Sequence, residues 1–163
     1  MSSKESYVEK YLPSAKKAGQ LFKIDPLIIL AQGALESGWG SSNLALNHNN
    51  FFGITTGGAK SNAFWEGKVY VGQNKYKLKF RSYSSVENGF KDFARLISSK
   101  YKTAYSNAKD YRSYADSISK SPYISENNGD NRSAYKNGII KNYDTILDIV
   151  KKKGLMIEQE LVS

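Results

Sequence analysis

A chain whose most apolar stretch is LIILAQGALES, residues 27–37, has to build its fold around that stretch. Asp25-Pro26 marks a helix start, because aspartate caps free backbone N–H groups and proline fits the first helical position. Gly38 and Gly40 supply the stop. Between these signals the helix is apolar nearly all round, so it has no face to give to water. It belongs at the centre, with the remaining elements wrapped about it.

Those elements can be read in order. In YLPSAKKAGQLFK, Leu12, Ala15, Ala18, Gly19 and Phe22 follow a helical period, and Pro13 suits a first turn. Over residues 60–83 the period changes. Tyr76, Leu78 and Phe80 alternate with Lys75, Lys77, Lys79 and Arg81, the pattern of a half-buried strand. AFWEGKVYV precedes it across Gly72-Gln73-Asn74, which predicts a β-hairpin inserted in a helical protein. Helices resume at Ser84, where Ser84 with Glu87 matches a capping box and Val86, Phe90, Phe93 and Ile97 form an apolar stripe. A short helix is expected over residues 111–118. A long one carries Tyr135, Ile139, Tyr143, Ile146 and Val150 on one face and ends at the Lys151–Lys153 run, whose charges suit a solvated helix end. The fold class is mainly α with a small β-hairpin lobe. A single domain over 1–163 is expected, with its core in 10–153 and a tail, 154–163, that either docks on the body or frays.

Composition narrows the chemistry. Length 163 suffices for one sizeable core, and 40% hydrophobic against 24% charged residues is a globular profile. Cysteine is absent and His48 is the sole histidine, which excludes disulfides, thiol nucleophiles, thiolate zinc and multi-histidine metal sites. No apolar run approaches the length of a membrane span, so membrane insertion is not expected. The N-terminus lacks the apolar core of a secretory signal, so the export route is open. The net charge of +9 favours polyanions: nucleic acid, an anionic membrane surface or bacterial wall polymers. The basic residues form no nucleic-acid-binding motif, and no nucleic-acid partner is expected.

Two carboxylates invite chemistry. Glu36 ends the most apolar helix and precedes Ser37-Gly38-Trp39-Gly40, so poor solvation should raise its pKa and keep it protonated near neutrality. A protonated carboxyl is what glycosidic cleavage needs to protonate the leaving oxygen, and the glycines would let a sugar chain approach the backbone. A solvated Glu at a helix end is the bland alternative. Glu66 is the only acid between Ser37 and Val86, amid Lys60, Lys68, Lys75, Lys77, Lys79 and Arg81. It either faces the cleft as base, nucleophile or stabiliser, or pairs with a lysine across the hairpin. Asn47-His48-Asn49-Asn50-Phe51-Phe52-Gly53-Ile54 reads as a braced loop that could also form part of a sugar cleft. His48 reads as a loop residue. Tyr123, in Ser-Pro-Tyr-Ile, fits no stripe and could line a cleft by stacking or hydrogen bonding, or stand as a plain surface aromatic.

The run from Ala31 to Ser42, AQGALESGWGSS, resembles the signature of glycoside hydrolase family 73, bacterial N-acetylglucosaminidases related to flagellar rod hydrolases and autolysins. PSAKKAGQLFKIDP, Asn49-Asn50-Phe51-Phe52-Gly53-Ile54 and Phe80-Arg81-Ser82-Tyr83 resemble further family features in the same order, over residues 10–150. The resemblance implies a lysozyme-like α+β fold, a helical body and a β-lobe with a glycan groove between them. It implies Glu36 as general acid, Glu66 as second carboxylate, and substrate contacts at Trp39, Asn50, Phe51, Phe52 and Gly53. It also implies a cleft tyrosine: Tyr123 is assigned to the cleft and Tyr135 to the core stripe, with an insertion that includes Glu126-Asn127-Asn128 between them. The implied substrate is the β-1,4 link from N-acetylglucosamine to N-acetylmuramic acid in peptidoglycan, cut in the cell wall by a bacteriolytic, autolysin-like monomer that needs no cofactor or metal. Anionic wall polymers are a further expected partner. Glu66 could activate water, attack as nucleophile or support attack by the substrate's N-acetyl group. The rivals are a lytic transglycosylase, which needs only Glu36, and a non-catalytic wall-binding module.

Overall fold

The computed structural model describes residues 2–125, 129–156 and 160. Seven helices and two strands lie among them: α1 Ser3–Phe22, α2 Pro26–Ser37, α3 Asn43–His48, β1 Val69–Val71, β2 Lys79–Arg81, α4 Val86–Lys100, α5 Lys102–Ser106, α6 Tyr111–Lys120 and α7 Gly129–Lys153. None of the helices is long and apolar enough to cross a membrane.

Helix α2 is the central element. Asp25 caps it by accepting from the Leu27 N–H at 2.9 Å, Pro26 opens it, and Gly38 closes it with φ of 58°. Nine of its twelve residues are buried, which leaves it no solvent face, as the sequence predicts. Helices α1 and α7 pack along it. Gly138 lets α7 come close, since a Cβ there would meet a Leu35 methyl at 2.9 Å, and Asn142 donates to the Ala31 carbonyl one turn further on.

Two helix starts differ from expectation. Helix α1 begins at Ser3, with a capping box between Ser2 and Glu5, and Pro13 lies inside it on an exposed face. Tyr7 and Val8 are therefore core residues, so the core begins before residue 10. At α4 the cap is Ser85, which accepts from Asn88 N–H, while Glu87 instead pairs with Lys91 and Lys17. The cap falls on the residue whose backbone is extended at the turn, and a Ser-Ser pair cannot tell which that is.

The β-lobe is smaller than the alternation predicts. β1 and β2 pair antiparallel over three residues, Tyr70 opposite Phe80. Tyr76 and Leu78 lie outside the strands, and Tyr76 is 72% exposed. Asn74 explains this: its side chain accepts from the Tyr76 and Lys77 N–H groups, an Asx turn that diverts the chain before pairing can extend. The Lys151–Lys153 run is exposed at the helix end, as expected, and Lys153 also bridges to Glu5 and Glu9 of α1. Of the tail, Leu155 and Met156 pack on the core and Glu160 pairs with Lys16; residues 157–159 and 161–163 lie outside the described residues.

Candidate active site

Glu36 is the penultimate residue of α2 and opens onto a groove of about 380 Å³, a size in the range of ligand sites. The groove is lined by Glu36, Phe52, Gly53, Ile54, Thr55, Gly57, Arg81, Leu96, Lys100, Tyr101 and Tyr123. One side of Glu36 is exposed to this space, while protein crowds the carboxyl from the other. Burial pushes its pKa up, and a hydrogen bond from the Tyr135 hydroxyl partly offsets the rise. The net direction favours the protonated form, the one a general acid uses.

The groove's far wall belongs to the 50–66 segment and β2, held to the body by polar bonds. Asn50 is buried and uses all its capacity internally: Nδ2 donates to the Ile54 and Arg81 carbonyls, and Oδ1 accepts from the Phe52 and Ile54 N–H groups. Asp92 of α4, fully buried, accepts from Arg81, Tyr83, Arg95 and Asn62. Arg81 also donates to the Thr55 and Thr56 carbonyls and lies 4.6 Å above the Trp65 ring. Burial alone would raise the Asp92 pKa; the bonds from Tyr83, Arg95 and Arg81 outweigh it and hold the pKa low.

The structure sorts the expected site residues. Glu36, Phe52, Gly53 and Tyr123 line one groove. Phe52 does so edge-on, since its face stacks on Phe93 at 3.7 Å. Phe51 is 1% exposed and packs among Tyr11 and Phe90, so it is core, and Asn50 is a brace. Trp39 packs against Tyr7 under Lys4, outside the groove lining. The glycines of the signature serve the turn and the core: Gly38 closes α2 in the left-handed region, and a Cβ at Gly40 would crowd Tyr7, Phe51 and Tyr11. His48 bonds to Ser82 and stacks on Tyr70, joining body and lobe. Glu66 is exposed in the loop before β1 and is not among the residues lining the groove.

Tyr123 and Tyr135 divide the role given to one tyrosine. Tyr123 sits in the turn after α6, which Arg132 of α7 clamps by donating to the carbonyls of Ser119, Ser121 and Ile124. Its ring lies edge-on to Tyr101 on the groove wall. Tyr135 is the one whose hydroxyl reaches Glu36. It sits on the α7 stripe as expected, but a stripe position does not say where the hydroxyl ends. Gln32, Tyr114, Tyr101 and Lys100 also escaped the sequence reading. Gln32 carried a signal: a lone amide in an apolar helix, four residues before Glu36 and on the same face. Residues 126–128, within the insertion between the tyrosines, lie outside the described residues. Among the described residues no group of three or more His, Cys, Asp or Glu side chains could hold a metal ion.

A helical body, a two-stranded lobe and a recessed carboxyl at the end of the central helix define a lysozyme-like glycoside hydrolase fold. The chain belongs to the glucosaminidase family, described as mannosyl-glycoprotein endo-beta-N-acetylglucosaminidase, which matches residues 12–148. It is 31% identical over 138 residues to the peptidoglycan hydrolase FlgJ of Vibrio parahaemolyticus, covering 76% of this chain and 43% of that protein. It is 35% identical over 121 residues to the peptidoglycan hydrolase FlgJ of Vibrio cholerae, covering 67% of this chain and 34% of that protein. The chain thus spans less than half the length of these relatives. In fold it is similar to the glycoside hydrolase domain from Salmonella typhimurium FlgJ, with a TM-score of 0.71, 24% identity and 94% of each chain covered.

Proposed function

We propose that this chain is a peptidoglycan hydrolase, one glucosaminidase domain over 1–163, that cleaves the β-1,4 bond from N-acetylglucosamine to N-acetylmuramic acid with Glu36 as general acid. The observation that carries the reading is the Glu36 carboxyl itself: it opens onto the groove, its pKa is raised by burial, and Tyr135 braces it. Glu36 protonates the leaving oxygen while positive charge develops on the sugar ring. Tyr123 and Tyr101 offer aromatic surface to the sugar, Phe52 and Gly53 the opposite wall. The family and the names of the Vibrio relatives support the substrate. The same reading puts the activity in the cell wall, with the +9 charge drawing a monomer toward anionic wall polymers.

Glu66 is the weaker assignment. A retaining nucleophile stands about 5–5.5 Å from the acid, and a base that activates water about 6.5–9.5 Å. A carboxylate outside the groove lining suits the second distance better than the first, and suits attack by the substrate's own N-acetyl group best of all. The same placement gives substance to the transglycosylase reading, which needs Glu36 alone. Mass spectrometry of fragments released from purified peptidoglycan separates the two. Reducing N-acetylglucosamine ends that vanish in Glu36→Gln support the glucosaminidase; anhydro-muramic ends make the protein a transglycosylase. Wall binding without fragments would leave a binding module.

A further inference from the structure

Gln32 is fully buried in α2, whose other buried positions are Leu, Ile, Ala and Gly, with a Ser at the end. Packing alone does not ask for an amide there, and a buried carboxamide must satisfy both its ends. Its Oε1 accepts from the Tyr114 hydroxyl at 2.5 Å, and its Nε2 donates to the Tyr135 hydroxyl at 3.0 Å. The direction of this chain of bonds follows from its end at Glu36. An ionised carboxylate only accepts, and a carboxyl protonated on its groove-facing oxygen still accepts at the other, so Tyr135 donates to it and its hydroxyl oxygen is left to accept from Gln32. The amide nitrogen then faces Tyr135, and the carbonyl faces Tyr114, which is itself fully buried and supplies a proton.

We propose that Gln32 is a positioning residue for Glu36. With Tyr114 holding its carbonyl, the amide keeps the Tyr135 hydroxyl donating to one Glu36 oxygen, and the other oxygen carries the proton delivered into the groove. The role rests on the reading of Glu36 as the general acid. Without the amide, the Tyr135 hydroxyl is free to rotate, and the carboxyl loses both its brace and the bond that stabilises its charge.

Three variants test this: Gln32→Met, Tyr114→Phe and, as reference, Tyr135→Phe. The Glu36 titration is followed directly by carboxyl 13C NMR, beside the pH–rate profile on peptidoglycan. The ionisable groups facing Glu36 are Tyr135 from α7 and Tyr123 from the turn after α6, with Tyr101, Arg81 and Lys100 on the groove walls. All stay in place in Gln32→Met. The Glu36 titration in Gln32→Met should move upward by roughly half a unit, in the direction of Tyr135→Phe, because a bond that stabilises the carboxylate is lost. Activity should fall about tenfold in kcat with KM little changed. If Gln32→Met does not fold, Tyr114→Phe, which removes one oxygen, carries the measurement. A folded variant in which Glu36 titrates as in the wild type overturns the positioning role, whatever the activity. A shifted titration in a protein that releases no wall fragments keeps the positioning and sinks the catalytic reading.

Discussion

The helical body and the β-lobe each carry one distinctive carboxyl, and the two are treated in opposite ways. Glu36 of the body is left with one hydrogen bond from Tyr135 and an environment that disfavours its charge. Asp92, which anchors the lobe, is surrounded by Arg81, Arg95, Tyr83 and Asn62 and is held ionised. A carboxyl kept short of partners can give up a proton during a reaction; one saturated with partners can only hold a structure together. The contrast extends to packing. The body coheres through one apolar cluster spanning every helix from α1 to α7, whereas the lobe has three paired residues per strand and depends on Asn50 and Asp92.

The largest expected difference is in activity. Glu36→Gln should lower the release of wall fragments about 10³-fold, equivalent to about 4 kcal/mol of barrier, with the fold intact by circular dichroism. Glu66→Gln should cost far less if substrate assistance operates, and a comparable loss would bring Glu66 into the groove after all. Asp92→Ala should do the reverse of Glu36→Gln in stability. It leaves Arg81 buried without its partner and should cost about 3 kcal/mol or more, read as a fall in thermal midpoint. If that variant melts like the wild type, the lobe is held by something other than this network.

The pH dependence should also have opposite signs in the two regions. The Glu36 pKa is raised on folding, so the folded state binds more protons than the unfolded one between the two pKa values, and stability falls as pH rises through that window. Glu36→Gln should therefore be more stable than wild type at neutral pH, a margin that disappears in acid, as urea titrations at several pH values would show. The Asp92 pKa is lowered on folding, so its contribution is complete above the ordinary aspartate pKa and is lost as pH falls through the folded value. The smallest effect belongs to the lobe's tip. Tyr76→Ser should change stability by less than about 0.5 kcal/mol, because the ring is exposed and outside the strands. A larger loss by chemical denaturation would mean the tip packs on something.

Much of the body was legible because helix formation is governed by neighbours in sequence. Asp25-Pro26 and Gly38 bound α2, and its uniform apolarity makes it central; Val86, Phe90, Phe93 and Ile97 put α4 against the core. Glu36 was visible for the same reason, a carboxyl at the end of an apolar helix. The lobe was legible only as a period of two, and Asn74 cut that period short with bonds to its own backbone. The roles of Asn50 and Phe51 were misjudged because a loop's residues do not announce which way they face.

By itself the sequence determined most of the elements, the central place of α2 and the carboxyl at its end, because these follow from periodicity and burial along one segment. Only the tertiary structure decided which tyrosine reaches Glu36, that Gln32 stands behind it, and that Glu66 stays out of the groove. Those are meetings between side chains up to 103 positions apart, and bond geometry across such separations is set by how helices pack, to which no local pattern answers.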